Sequence, residues 1–221
     1  MESYSESGHE LFTRSQVFSS LMEIRSSDAL KVLENRLADF RKFRNSSSEV
    51  LFSELCFCIL TANTSAEMGL RTQNGIGIDG FLNLTGDQLS KRLKDLKYRF
   101  YNVRSRFIVD ARHVLEYLPE IVNSEDPRKA REFLINNVPG ISYKEASHFL
   151  RNVGVFDLAI LDKHILRMMN GIDPSLDLKV TPPRRYLEKE QIFMEYSSSV
   201  GMEPGELDLY LWFIATGKVI K

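Results

Sequence analysis

The stretch Asn136-Asn137-Val138-Pro139-Gly140-Ile141-Ser142-Tyr143-Lys144-Glu145-Ala146 decides the fold of this chain of 221 residues. It predicts the end of one helix, a tight hairpin and the start of a second helix, in a hairpin motif at about residues 130–150. Pro139 stiffens the turn, and Gly140 supplies an unusual backbone angle and permits close approach. Such a turn presents backbone N–H groups to a nucleic-acid phosphate, although ordinary helix–helix turns have a similar sequence.

A lysine and an aspartate follow the hairpin. Lys144 is predicted in the first turn of a helix that opens with a capping box of Ser142 and Glu145. The helix dipole and partial burial both disfavour an ammonium there, so the amine becomes available as a nucleophile. Asp162 comes eighteen residues later, at the start of another helical pattern. An ionised carboxylate there suits stabilisation of positive charge on a sugar. A surface lysine and a plain helix cap are the simpler interpretations.

The sequence on both sides of the hairpin indicates an all-α protein of about ten helices. We expect one unit over residues 1–221, made of two helical lobes with a DNA-binding cleft between them. Helix starts are indicated by serine, threonine or aspartate followed by glutamate, glutamine or proline, at Ser46–Glu49, Thr85–Gln88, Asp126–Pro127 and Thr181–Pro182. Two segments rich in glycine or proline are predicted as loops, Asn74–Asp79 and Asn170–Pro183.

Charge is balanced overall but not locally. The net charge of −1 gives no global indication of a nucleic-acid partner. Residues 91–112, however, hold eight Lys or Arg against two Asp, an excess of +6, with aromatic residues interleaved. This pattern suits a surface that follows a nucleic-acid backbone. A solvated amphipathic helix would show the same pattern.

Two classes of protein are excluded by composition. No apolar run approaches the ~20 residues that a membrane span needs. The two cysteines, Cys56 and Cys58, are too few for a Cys-ligated iron–sulfur cluster. They are expected to be buried thiols in a protein of a reducing, intracellular (cytoplasmic) compartment.

The hairpin with the following aspartate, Val138–Ala146 and Leu161–Arg167, resembles the helix-hairpin-helix DNA glycosylase superfamily. Phe52–Ala66 and Tyr101–Ile108 resemble further segments of it. The four-cysteine iron–sulfur loop of endonuclease III and the adenine glycosylases is absent from this sequence. The stretch Asp208–Lys221 is instead similar to the type 2 8-oxoguanine DNA glycosylases, known mainly from archaea. That family ends on a lysine, as this sequence does.

The resemblance implies a DNA repair enzyme that works as a monomer on double-stranded DNA containing 8-oxoguanine. Lys144 would attack C1′ of the damaged nucleoside and form a Schiff base, and β-elimination would then nick the strand. Asp162 would stabilise the developing oxocarbenium. No cofactor is implied for catalysis, but a K⁺ or Na⁺ ion is expected in the hairpin, on the backbone carbonyls of Asn136, Val138 and Ile141.

The resemblance also implies a set of DNA contacts. The backbone of Gly140 and Ser142, together with His164, would hold phosphates, Asn63 would fill the gap left by the flipped base, and Arg104 would touch the opposite base. Trp212 would stack on the flipped base with Phe100 on its other face, and Lys221 would help to recognise it. Two alternatives remain: a glycosylase for another damaged base, and a non-catalytic helix-hairpin-helix DNA-binding module.

Overall fold

The fold is entirely helical in the residues that the structure, a computed structural model, describes, which are residues 13–221. The expected all-α class is therefore confirmed. Twelve α-helices and one 3-10 helix (Ala111–Tyr117) occur in this range, and none of its helices is long and apolar enough to cross a membrane. The α-helices are α1 Arg14–Arg25, α2 Asp28–Phe43, α3 Ser48–Thr61, α4 Ala66–Asn83, α5 Gly86–Asp95, α6 Tyr101–Asp110, α7 Leu118–Val122, α8 Pro127–Asn137, α9 Tyr143–Asn152, α10 Lys163–Ile172, α11 Pro183–Val200 and α12 Pro204–Thr216.

Two hydrophobic cores divide the chain into two lobes. The first core surrounds α3, of whose 14 residues the last 11 are buried, and it takes side chains from α4 to α9. The second core is built from α1, α2 and α10 to α12. The chain therefore starts in the second lobe, forms the first and returns. Helix α9 lies at the junction, since Phe149 belongs to the first core and Tyr143 packs against the second.

Two predicted helix starts are confirmed by their hydrogen bonds. Thr85 caps α5 through a capping box, in which Thr85 Oγ1 accepts from Gln88 N at 3.3 Å and Gln88 Oε1 accepts from Thr85 N at 2.9 Å. Asp126 caps α8 by accepting from two backbone N–H groups, and Pro127 is the first residue of that helix. Both signals are local, so a short stretch of sequence is sufficient to specify them.

Two other starts were placed one residue too early. Ser47 and not Ser46 precedes α3, and Pro182 and not Thr181 precedes α11. Consecutive serines and consecutive prolines each offer neighbouring positions with the same propensity, so packing decides between them. Ser142 does precede α9, but its hydroxyl donates to the Glu145 carboxylate instead of accepting from the helix backbone.

The prediction of a loop at Asn74–Asp79 was wrong. These residues lie within α4, where only Gly77, with φ of 71°, leaves helical geometry. Gly75 is needed for close packing: a Cβ there would lie 2.7 Å from Leu96 Cδ2. The glycines therefore mark a bend and a close contact rather than a loop. The second predicted loop begins later than expected, because α10 continues to Ile172.

Candidate active site

The hairpin between α8 and α9 is a tight turn of residues 138–142. Val138 and Ile141 are buried in the first core, and Ile141 N donates to Val138 O at 3.4 Å. Gly140 is exposed with φ of +79°, and a Cβ there would lie 2.4 Å from Phe107 Cδ2, so only glycine fits. Within residues 13–221, the N–H groups of Gly140 and Ser142 have no acceptor. Both are free to bind an anion such as a phosphate.

Lys144 lies in the first turn of α9 and lines a cavity of about 280 Å³ that both lobes border. Its side chain is 28% exposed, and Nζ donates to Glu145 Oε1 at a long 3.3 Å. Burial alone would raise the pKa of Glu145, but the charge of Lys144 and the hydrogen bond from Ser142 outweigh burial and lower it. The amine is thus half-buried, faces open space and has one weak partner.

Asp162 faces the same cavity from the other lobe. It caps α10, and its Oδ1 accepts from His164 N at 2.7 Å and from Ile165 N at 2.9 Å. These bonds leave the second carboxylate oxygen for other partners. His164, partly exposed, lines the cavity two residues further along the chain. The structure therefore brings together the predicted nucleophile and the predicted carboxylate.

Trp212 on α12 forms another wall of this cavity, and its side chain is only partly buried. Asp208, one turn earlier, shares that face of the helix, as does Thr216 one turn later. Thr64 and Ser65, in the turn between α3 and α4, complete the wall from the first lobe. An aromatic face in a polar-lined cavity is suited to a flat heteroaromatic ligand such as a nucleobase.

The cavity floor contains three buried polar residues that sequence reasoning missed: His148, Arg151 and Asp208. Arg151 Nη1 lies 3.7 Å from Asp208 Oδ2. Burial raises the pKa of Asp208 to about 7, against the opposing charge of Arg151. Burial also lowers the pKa of His148 well below its usual value. The sequence did contain one indication of this group: Lys144, His148 and Arg151 follow the i, i+4, i+7 spacing of one helix face, so His148 and Arg151 lie on the same side as Lys144.

Two predicted DNA contacts lie outside the cavity lining. Asn63 is exposed at the tip of the α3–α4 turn, with φ of 62°, next to the cavity residue Thr64. Arg104 is buried, donates from Nη2 to Ala62 O at 3.0 Å and lies 5.4 Å from the Phe107 ring. Asn63 is thus placed to project from the surface, whereas Arg104 ties α6 to the neighbouring turns.

Phe100 is not placed opposite Trp212, because it does not line the cavity. It precedes α6 and packs against the first core, in an edge contact with Tyr98 at 6.5 Å between ring centroids. Arg99 also lies over its ring. This arrangement does not support the expectation that Phe100 covers the second face of a base. The packing of Phe100 against the first core could not be read from the sequence.

Lys221 lines the cavity, but its ammonium is engaged elsewhere. Its Nζ donates to Glu54 Oε2 at 2.8 Å and to Gln73 Oε1 at 2.9 Å. It also lies 4.6 Å from the centroid of the Phe57 ring. The ammonium of Lys221 is thus already bonded to side chains of the first lobe, and the role of Lys221 in base recognition stays a prediction.

The basic stretch 91–112 is mostly a solvated surface. Six of its eight cationic side chains are exposed, at positions 91, 92, 94, 97, 99 and 106. The other two are structural, since Arg104 and Arg112 donate to main-chain carbonyls. The exposed six remain available to an anionic partner.

Cys56 and Cys58 are free and fully buried in α3, and burial raises the pKa of both thiols well above its usual value.

An all-helical fold with a lysine after an exposed hairpin, and an aspartate capping a helix across the same cavity, defines the class of helix-hairpin-helix DNA glycosylases. Residues 33–202 match the Ogg-HhH family, described as 8-oxoguanine DNA glycosylase. The chain belongs to that family.

Individual relatives agree along nearly the whole chain. The 8-oxoguanine DNA glycosylase/AP lyase of Thermoplasma acidophilum is 52% identical, covering 91% of this chain and 98% of that protein. Its counterpart from Methanocaldococcus jannaschii is 48% identical over 90% of this chain and 96% of that protein.

Solved structures show the same fold. The Methanocaldococcus jannaschii 8-oxoguanine glycosylase/lyase in complex with a 15mer DNA containing 8-oxoguanine matches with a TM-score of 0.88 at 44% identity, over 93% of this chain and 99% of that one. The 8-oxoguanine DNA glycosylase of Thermotoga maritima matches with a TM-score of 0.86 at 42% identity, over 94% and 99%. The expected helix-hairpin-helix glycosylase fold is thereby confirmed.

Proposed function

We propose that this protein is a monomeric DNA repair enzyme that excises 8-oxoguanine from double-stranded DNA and then cleaves the abasic site. Membership of the 8-oxoguanine DNA glycosylase family supports the reaction and the lesion. The observation that carries the proposal is the cavity itself. It holds Lys144, Asp162 and Trp212 together, close to a hairpin whose Gly140 and Ser142 N–H groups are free.

The chemistry begins with the Lys144 amine in its neutral form. Its nitrogen bonds to C1′ of the damaged nucleotide as the glycosidic bond breaks, and the base leaves with that electron pair and takes up a proton. The Asp162 carboxylate stabilises positive charge on the sugar during this step. The nitrogen then loses one proton, the C1′–O4′ bond breaks as O4′ takes up a proton, and a protonated Schiff base is left between Lys144 and C1′. Loss of a proton from C2′ expels the 3′ phosphate, and water finally releases the enzyme.

The base must leave the duplex before this can happen. Flipping costs a few kcal/mol, and stacking on an aromatic ring returns about 1–3 kcal/mol. Trp212 supplies that ring, and Lys218 and Lys221 line the same cavity. Asn63, exposed at a turn tip, enters the gap in the duplex, and His164 contacts the phosphate backbone with the hairpin.

A monovalent cation, K⁺ or Na⁺, completes the proposed hairpin. The Asn136 carbonyl belongs to the last turn of α8, where carbonyls lack helical partners. The Val138 carbonyl accepts only a long bond from Ile141 N, at 3.4 Å, and retains a lone pair. These two groups and the Ile141 carbonyl are hard oxygen ligands, which suit such an ion. Higher affinity for an abasic-site duplex in KCl than in choline chloride at equal ionic strength is the expected result, and equal affinity would argue against the ion.

The decisive experiment traps the Schiff base. A duplex with a single 8-oxoguanine is incubated with the protein in borohydride, and a covalent protein–DNA adduct is expected. Lys144→Gln should abolish the adduct and the nick, while Lys129→Gln, at an exposed lysine of α8, should leave both intact. Binding without adduct or nick in the unaltered protein would favour a non-catalytic DNA-binding module. If an adduct formed only with another damaged base, that base and not 8-oxoguanine would be the substrate.

A further inference from the structure

Segment 217–221 connects the two lobes along the cavity wall. It leaves α12 at Gly217, whose φ of +68° ends the helix. Lys218 Nζ then donates to Glu67 Oε1 in α4 at 2.6 Å, and Val219 packs against the second core. Lys221 finally reaches α3 and α4 of the first lobe. The segment is therefore fixed at both ends, by a helix on one side and by Lys221 on the other.

The contacts of Lys221 form a clamp, defined here as Glu54, Gln73 and Phe57 around its ammonium. Two acceptors lie at 2.8 and 2.9 Å and the aromatic ring at 4.6 Å. The Lys221 side chain is 14% exposed and that of Glu54 only 3%. An ammonium with two short bonds and an aromatic face in a nearly dry site is held far more firmly than a surface lysine.

The acceptors of this clamp are themselves held in place. Glu54 Oε1 accepts from Asn152 Nδ2 at 2.8 Å, and Asn152 lies on α9, the helix that begins beside Lys144. Gln73 Nε2 donates to Ser53 O at 2.9 Å, which orients its oxygen toward Lys221. A buried carboxylate is costly unless it is paired and hydrogen-bonded. Glu54 and Gln73 are therefore fixed in positions that bind the Lys221 ammonium at one place.

We propose that Glu54, assisted by Gln73, is a positioning residue for base excision. It holds Lys221 so that segment 217–221 forms the cavity wall against which the flipped base is seated. This inference rests on the proposed function. Because an abasic site brings no base into the cavity, the clamp should matter for excision of 8-oxoguanine and not for nicking of an abasic site that is already formed.

A double-mutant cycle tests this role. Single-turnover excision of 8-oxoguanine is measured for the unaltered protein, Glu54→Gln, Lys221→Met and the double variant. Removing one charged partner should lower excision about tenfold or more. Since Glu54 acts through Lys221, the double variant should be no slower than the slower single variant. Lys221→Arg, which keeps the charge, should retain more excision than Lys221→Met.

Two controls distinguish a positioning role from a structural one. Glu54→Gln should nick a preformed abasic site within about twofold of the unaltered rate, whereas loss of fold would reduce both reactions together. Asp177→Asn removes a carboxylate that binds Lys189 Nζ at 2.8 Å outside the cavity lining, and excision should not change. If Glu54→Gln fails to fold, Gln73→Met provides the same comparison.

Multiplicative effects of Glu54→Gln and Lys221→Met would overturn the inference, as would equal losses of excision and nicking in a folded Glu54→Gln protein. Failure of the proposed function looks different, because the unaltered protein would then neither excise 8-oxoguanine nor nick an abasic site.

Discussion

Two lysines border the same cavity and are held in opposite ways. Lys144 is 28% exposed and has one long bond, 3.3 Å, to its neighbour in sequence. Lys221 is 14% exposed and has two short bonds to side chains 148 and 167 residues away. An amine that must lose its proton and attack carbon benefits from weak bonding, whereas an amine that serves as an anchor benefits from strong bonding. We call Lys144 with Asp162 the reactive side, and segment 217–221 with its clamp the anchor side.

The comparison predicts that removal of one charge has its largest effect on the reactive side. Asp162→Asn should lower excision of 8-oxoguanine by about 10²–10⁴-fold, because the charge that stabilises the sugar cation is lost. Stability should change little, since asparagine caps a helix about as well as aspartate. Single-turnover kinetics and urea unfolding of the same preparations measure the two effects separately.

Asp126→Asn is the matched control for this substitution. It alters another aspartate that caps a helix and accepts from two backbone N–H groups, but on α8 and outside the cavity. It should leave excision unchanged. Equal kinetic losses in the two variants would mean that Asp162 acts only as a helix cap. Asp162 would then no longer belong to the reactive side.

Glycine substitutions give the next largest contrast, now in stability. Gly140 on the reactive side and Gly217 on the anchor side both have positive φ, +79° and +68°. A Cβ at Gly140 would overlap the Phe107 ring, whereas a Cβ at Gly217 would meet nothing within 4 Å. Gly217→Ala should therefore cost only the backbone strain, about 1–2 kcal/mol. Gly140→Ala should cost more and weaken duplex binding as well.

Urea unfolding and binding to an abasic-site duplex check this pair. If the two alanine variants proved equally stable, the close approach of the hairpin to Phe107 would not contribute to the free energy of unfolding. If Gly140→Ala kept full affinity for DNA, the hairpin N–H groups would not be phosphate ligands.

Sequence reasoning succeeded where a residue's role depends on neighbours along the chain. The Thr85 capping box and the positions of Lys144 and Asp162 at helix starts follow from local patterns. It could not show the contacts that a residue makes with a distant partner. Nothing near Lys221 in sequence indicates that Glu54 will bind its ammonium, and nothing near Phe100 shows that it packs away from Trp212. Helix packing brings these groups together only in the folded chain.

His148 lies on the same helix as Lys144, and its ionisation is affected by both lysines. Burial lowers its pKa well below the usual value, and the charges of Arg151 and Lys144 act in the same direction. The unfolded imidazole, with a pKa of about 6.5, binds a proton that the folded one does not. Its contribution to stability is therefore present above pH 6.5 and is lost below it, by at most about 1.4 kcal/mol per pH unit.

Asp208 acts in the opposite sense, because its raised pKa of about 7 makes its contribution grow as the pH falls. The His148 effect is therefore measured as the difference between the unaltered protein and His148→Gln in urea unfolding at pH 5.5 and 7.5. The variant should gain relative stability at the lower pH. Parallel pH profiles would mean that the His148 imidazole has the same pKa in the folded and the unfolded protein.

The smallest effect is expected from the second lysine of the anchor side. Lys218 and Glu67 form a 2.6 Å pair, even shorter than the pair of Lys221 with Glu54, but their side chains are 58% and 49% exposed. Solvent screens such a pair, so Glu67→Gln should change the free energy of unfolding by less than about 1 kcal/mol and excision by less than about twofold. Glu54→Gln, in contrast, changes a carboxylate that is 3% exposed. If the two glutamine variants behaved alike, distance alone would govern these bonds. If only Glu54→Gln impairs excision, burial is what converts a lysine–glutamate pair into an anchor.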